Sequence, residues 1–300
     1  MSFLDTPEFR HSLSKEISQV TTDLQVVTAF CKTSALKFID TQINHVLQSK
    51  RLLVRFLPHD ILQNATDLEV YNYCKINGWE MYVRFDLHAK TYIFDRKRYI
   101  LGSNNVTSNG FGLNGLGNFE LATLSELQEG EMAKIDELFD SAILMTDELY
   151  SKMCYELSRK DSTNSGEYVS WDNEIMAQFH PNIDVLFTYD FPSTNVPKNE
   201  IGVYEFLEMS SAVEASVLRD KFRWSKAFLW LKEVLQHQLN KEIYFGELSA
   251  KLHDALINDP KPYRKEVKDL LANLLGWITY FNFDDIKIDR PNYSQRIRLL

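Results

Sequence analysis

Cysteine is scarce in this chain: Cys31, Cys74 and Cys154 are the only three in 300 residues, odd in number and far apart. That count excludes a disulfide scaffold, and reduced thiols in a cytoplasmic setting are expected. Long apolar runs are also missing. The longest candidate, residues 270–281, is too short to span a bilayer and is interrupted by Asn273. The opening residues lack a basic segment followed by an apolar stretch, so no secretory signal is read there and no membrane attachment is expected.

What is present suffices to fold. A hydrophobic share of 44% over this length supports one large domain or two ordinary ones, and 25% charged residues read as soluble and globular. The net charge of −9 argues against a nucleic-acid partner until its distribution is read. Residues 1–220 carry 19 basic against 32 acidic side chains, whereas residues 221–300 carry 14 against 10. The C-terminal part is therefore the place to look for phosphate contacts, although such a balance is also an ordinary surface.

The densest chemistry lies between His88 and Glu120. His88 and Lys90 stand two apart in an alternating run, so a strand there would project imidazole and ammonium side by side. Asp95 follows, then Gly102-Ser103-Asn104-Asn105 breaks the next strand and delivers Ser103 and Asn105 as hydrogen-bonding groups. A neutral histidine can attack phosphorus and form a covalent intermediate when an acceptor holds its other ring nitrogen. Glu120 is the candidate acceptor. Lys90, Ser103 and Asn105 would supply donors for charge that builds up in the transition state. The stretch has no cluster of carboxylates suited to Mg²⁺ and no His/Cys set suited to Zn²⁺, so metal-independent catalysis without a cofactor is expected.

His-x-Lys, four residues, Asp, six residues, Gly-Ser-x-Asn resembles the signature of the phospholipase D superfamily, met here by His88, Lys90, Asp95, Gly102, Ser103 and Asn105. The resemblance covers about residues 1–150. It implies a mixed α/β sheet flanked by helices, a phosphohistidine at His88 and a supporting carboxylate at Glu120. It also implies two motifs per working site, one histidine as nucleophile and the other as general acid. None of the other histidines (His11, His45, His59, His180, His237, His253) has a lysine two residues on. The second histidine is therefore expected from a second copy, in a homodimer with one composite site. Asp95 is read equally well as a fold-stabilising residue at a strand end.

The first half alternates strand and helix patterns, as an α/β sandwich requires. Helices are expected over 6–18, with Thr6-Pro7 as N-cap and N1, and over 33–45 and 65–76. Strands are expected over 24–30, 51–57, 81–85, 88–94, 98–101 and 119–125, followed by one long helix or a broken pair over 129–159. The glycine-rich stretch 108–118 reads first as a flexible connection and second as a phosphate cradle. Residues 1–160 are taken as the catalytic domain, 161–167 as a linker and 168–300 as a smaller, mostly helical domain. In 168–220 strands are expected at 185–189 and 203–207.

Residues 221–300 read as three helices and a hairpin, the order of a winged helix, with DNA binding placed ahead of a dimerisation or partner-docking role. Arg264, Lys265 and Lys268 near the third helix's start, and Arg290, Arg296 and Arg298 on the wing, are the candidate nucleic-acid contacts. The resemblance favours a nuclease acting on DNA, with a use in restriction or antiviral defence under a partner protein's control. A phospholipase D or phosphatidyl transferase is the first alternative. A non-catalytic nucleic-acid-binding or assembly protein is the second.

Overall fold

The computed structural model describes residues 2–300 except Asn114, Leu116, 160–170, Asn182, Asn199, Ile201 and 210–212, together with the side chain of Asn292. The expected linker 161–167 lies outside the described residues. The chain forms two compact units, Met1–His180 and Pro181–Leu300.

In the first unit β1 (Phe3–Leu4) leads into α1 (Thr6–Gln19). Asp5, not Thr6, caps this helix. Its carboxylate accepts from Glu8 N while Glu8 accepts from Asp5 N, and the Thr6 hydroxyl is drawn away to the Asn118 carbonyl. There follow β2 (Asp23–Thr28), α2 (Thr33–Thr41), β3 (Ser49–Val54), α3 (Pro58–Leu62), α4 (Val70–Ile76) and β4 (Glu80–Val83). Next come β5 (Thr91–Phe94), β6 (Arg98–Gly102), α5 (Ser108–Phe111) and β7 (Ala122–Glu126). The stretch read as one helix or a broken pair is α6 (Glu131–Asp140) and α7 (Asp147–Arg159), with β8 (Ile143–Leu144) between them, and α8 (Asn173–Met176) ends the unit.

The eight strands form one mixed sheet in the order β1-β7-β6-β5-β2-β3-β4-β8. β2, β3 and β4 run parallel and the other pairs antiparallel. One face packs Phe9 of α1 and Phe111 of α5 on Tyr92 of β5, and the other packs Phe139 of α6 against Val27, Leu53 and Ile93. Helices thus cover both faces, and the central strands are buried almost continuously, β2 at Leu24–Thr28 and β5 throughout. The glycine-rich stretch is anchored at described positions: Arg10 donates to the Gly112 carbonyl and Asn118 N–H to Asn109 O. Residues 171–180 belong to this unit and not to the second domain as read. The Trp171 indole N–H donates to Phe56 O and Phe179 packs on Phe85, apolar bulk that needed a nearby core.

The second unit holds α9 (Ala215–Arg223), α10 (Lys226–Gln236), β9 (Glu242–Tyr244), α11 (Phe245–Ala255), α12 (Arg264–Phe281), β10 (Ile286–Asp289) and β11 (Arg296–Leu299). Where one helix was expected over 221–239 there are two, because Ser225 caps the second with its side chain. β9 joins the hairpin, so the antiparallel sheet runs β10-β11-β9. The strands expected at 185–189 and 203–207 are short 3₁₀ turns, Thr188–Asp190 and Glu205–Leu207. Leu186 keeps a single parallel bridge to Leu256 outside any sheet, and Leu186, Val203 and Leu207 join the core that holds Trp277. Segment 192–195 lies along the later half of α12: Asn273 donates to Pro192 O and Trp277 to Thr194 O. Among the described residues no helix is long and apolar enough to cross a membrane.

Candidate active site

Strand directions bring five chain segments to one end of the large sheet. β2 and β3 run toward it, and Thr28 pairs with Val54 there. β5 is antiparallel to β2 with Thr91 opposite Val27, so its start lies at this end. Thr91 pairs with Leu101 and Gly102 with Ala122, which adds the close of β6 and the start of β7. The side chains at these ends are Arg55, His88, Lys90, Ser103, Asn105 and Glu120.

His88 and Lys90 precede β5 instead of lying in it, because the ladder begins at Thr91. They still meet. Lys90 is 7% exposed, and its Nζ donates to the His88 carbonyl at 2.7 Å and lies 3.2 Å from His88 Nδ1 and 3.4 Å from Nε2. The Lys90 ammonium, burial and the Arg55 guanidinium hold the His88 imidazole below the usual histidine value, with Asp60 pulling the other way. Burial and the charge of Arg55 lower Lys90 in turn, opposed by Glu120. The lowered value leaves the ring neutral at pH 7.

The Gly-Ser-x-Asn turn is fixed from below. Gly102 has no room for a side chain: a Cβ there would stand 2.6 Å from both Ala122 Cβ and Leu121 O. Asn104 donates to Gly110 O and accepts from the Tyr92 hydroxyl at its carbonyl. Asn105 Oδ1 accepts from the Phe30 backbone N–H at 3.0 Å, and the Thr28 hydroxyl lies 3.3 Å from it. With its oxygen so placed, Asn105 presents its NH₂ end, which makes no hydrogen bond among the described residues.

Two expectations are corrected. Glu120 does not hold the His88 ring; its carboxylate accepts from the Ser103 hydroxyl and from Asn118 Nδ2, while Ser103 Oγ accepts from Leu121 N. The turn after β6 brings Ser103 back beside β7, where it is the nearer donor. Asp95 lies at the opposite end of β5 and takes no part in this group. Its oxygens accept from the backbone N–H groups of Thr21, Thr22 and Asp23 and from both threonine hydroxyls. Burial raises its pKa, but those hydrogen bonds outweigh burial and hold the carboxyl well below the usual range.

Arg55 was missed, as was its partner. Arg55 Nε and Nη2 grip Asp60 Oδ2 and Oδ1 at 2.7 and 2.8 Å, and the guanidinium lies 4.9 Å over the Phe30 ring. The signal was an arginine inside the apolar run Leu52–Leu57 at the carboxyl end of a parallel strand, where α/β sheets place ligands.

In the second unit Arg264, Lys265 and Lys268 are exposed at the start of α12, without ion pairs among the described residues. Arg290 is exposed at the wing. Arg296 and Arg298 are committed elsewhere: both pair with Asp289, and Arg296 also with Glu242. Alternate residues of β11 point to one face, and acids on β9 and β10 meet them there.

No protein-family model and no curated protein matches the chain by sequence. Solved structures that align with about half of it include NucT from Helicobacter pylori (12% identity, 48% of this chain and 100% of that one, TM-score 0.34). Nuc from Salmonella typhimurium, described as a phospholipase D family member, aligns at 13% identity over 49% of this chain and 97% of that one, TM-score 0.35. The phosphatidylserine synthase of Haemophilus influenzae Rd KW20 aligns at 13% over 53% and 45%, TM-score 0.34. Likenesses of this degree carry no argument about chemistry. The functional reading stands on the side chains themselves.

Proposed function

We propose that this protein is a metal-independent phosphodiesterase that cleaves nucleic acid through a covalent phosphohistidine at His88. The observation that carries the reading is the buried Lys90 ammonium set against the His88 ring, with Ser103, Asn105 and Glu120 at the same sheet end. A phosphate oxygen entering the site draws Lys90 Nζ off the imidazole and frees the ring's lone pair. That nitrogen bonds to phosphorus and the ester P–O bond breaks, with charge on the non-bridging oxygens met by Lys90 and the Asn105 amide. The departing oxygen takes a proton from a second imidazole, the partner's His88 in a homodimer, which the negative charge of the bound phosphate favours in its protonated form. Water then attacks phosphorus, gives its proton to that second imidazole, and His88 leaves. Glu120 positions Ser103 in this scheme.

DNA is the preferred substrate. From α10 onward the order helix, strand, helix, helix, strand, strand, with β11 central, supports a winged helix whose α12 presents Arg264, Lys265 and Lys268. Arg290 would follow the backbone from the wing. A cytoplasmic role in restriction or defence, under a controlling protein, agrees with this pairing of units.

The test is incubation of the full chain with labelled single- and double-stranded DNA, RNA and phosphatidylcholine in excess EDTA, beside His88→Ala. Nucleic-acid cleavage that survives EDTA and vanishes in the variant is the expected result. Choline release would select lipid chemistry, and no turnover on any substrate would leave a binding protein.

A further inference from the structure

Arg55 is placed and held as a ligand-binding arginine would be. Its backbone N–H bonds Thr28 O, which locks it to the end of β2. Asp60 takes the Nε/Nη2 edge in a two-point grip, and the Asp60 side chain is only 4% exposed against 21% for Arg55. The Phe30 ring supports the guanidinium face, and Phe30's own N–H is the donor that fixes Asn105. The in-plane grip and the ring beneath leave the side chain little rotational freedom. Two of its five N–H donors are spent on Asp60. Nη1 makes no hydrogen bond among the described residues.

Here the carboxylate is buried and the guanidinium opens outward, at the same sheet end as Lys90. Its charge also reaches His88 and Lys90, and lowers the proton affinity of both.

We propose that Arg55 is a phosphate-binding residue of this site, holding a non-bridging oxygen of the phosphodiester with the guanidinium edge that Asp60 leaves free. The inference rests on the phosphodiesterase reading and deepens it: the site meets its anion with two fixed cations, Lys90 and Arg55. Forked N–H donors suit two oxygens of one phosphate, which a lysine alone does not. Asp60 and Phe30 then serve as positioning residues.

The experiment measures inorganic phosphate binding by calorimetry and bis(p-nitrophenyl) phosphate turnover for the full chain, Arg55→Gln, Arg55→Lys and His88→Ala. Arg55→Gln is expected to weaken phosphate binding at least about tenfold and to lower kcat/KM by about a hundredfold, on the scale of one charge-assisted two-point interaction. Arg55→Lys should fall between, since it keeps the charge and loses the fork. It also serves if the glutamine variant does not fold. His88→Ala should abolish turnover and keep phosphate affinity. Turnover that depends on His88, with phosphate affinity and kcat/KM unchanged in both Arg55 variants, overturns this inference alone. Absent turnover in the wild type, with phosphate binding abolished in Arg55→Gln, overturns the enzymatic reading and leaves Arg55 as an anion site. A wild type that binds no phosphate overturns the inference outright.

Discussion

Replacing Asp95 by asparagine separates a structural carboxylate from a catalytic one. Asparagine tolerates the left-handed backbone found at this position (φ 48°) and keeps one acceptor oxygen, so the change is confined to the charge and the second oxygen. In the wild type Oδ2 accepts from Thr21 N–H and hydroxyl at 3.0 Å, and Oδ1 accepts from Thr22 and Asp23 N–H at 2.8 and 3.0 Å. The variant turns an NH₂ group toward Thr21 N–H and removes charge assistance from the other bonds. At roughly 1 kcal/mol for the missing bond and about as much again for the missing charge, discounted for partial exposure, the cost is about 2 kcal/mol. With a urea slope of roughly 2 kcal/mol per molar, the first unit's midpoint should fall by about 1 M at pH 7. The sign with pH follows from the depressed carboxyl: its contribution is complete above the unfolded value of about 3.9 and is lost as pH falls toward the folded one. The gap between wild type and variant should therefore narrow below about pH 4. An unchanged midpoint at pH 7, or a gap that does not narrow in acid, would refute this account. Loss of phosphodiester turnover at undiminished stability would return Asp95 to the chemistry.

Three further outcomes are expected. The acid limb of kcat/KM should have its midpoint below about 6.5, because Lys90, burial and Arg55 depress His88; a pH–rate profile with a midpoint at or above that value would contradict the geometry. Gly102→Ala should cost about 2 kcal/mol in urea unfolding and remove most activity, since its Cβ meets β7 backbone and Ala122 at 2.6–2.7 Å and must push Ser103 away. Lys265→Ala with Lys268→Ala should weaken DNA binding evenly across sequences and reduce the salt slope by about 1 for each phosphate no longer neutralised. Arg296→Ala should leave that slope unchanged, because its charge is already matched by Asp289 and Glu242.

The strand–helix alternation of the first half was readable because the central strands are short apolar runs, buried almost continuously and bounded by caps or turns. Element ends moved by a few residues where hydrogen-bond ladders, not hydrophobicity, decide them, as at His88 and Thr91. Within the site the spacing of His88, Lys90, Ser103 and Asn105 was legible, since a hairpin of two short strands returns the residues before the first and after the second to one end. Hydrogen-bond partners were not. Whether Glu120 reaches His88 or Ser103 depends on how the turn after β6 folds back on β7, a tertiary fact without a local pattern. The apolar runs at 185–189 and 203–207 carry strand-like composition, yet they fill space around Trp277. Arg55 was visible as a charge in an apolar run, but its meaning comes from which strand ends lie beside it.

The Trp171 indole reaches the Phe56 carbonyl at 2.6 Å, one residue beyond Arg55, and Phe179 covers Phe85. Anyone expressing the first unit by itself should accordingly place the stop codon directly after His180. A version ended at residue 160 would strip the donor from Phe56 and uncover an aromatic beside the very loop that carries His88. A dead enzyme from that shorter gene would say more about the scissors than about the chemistry.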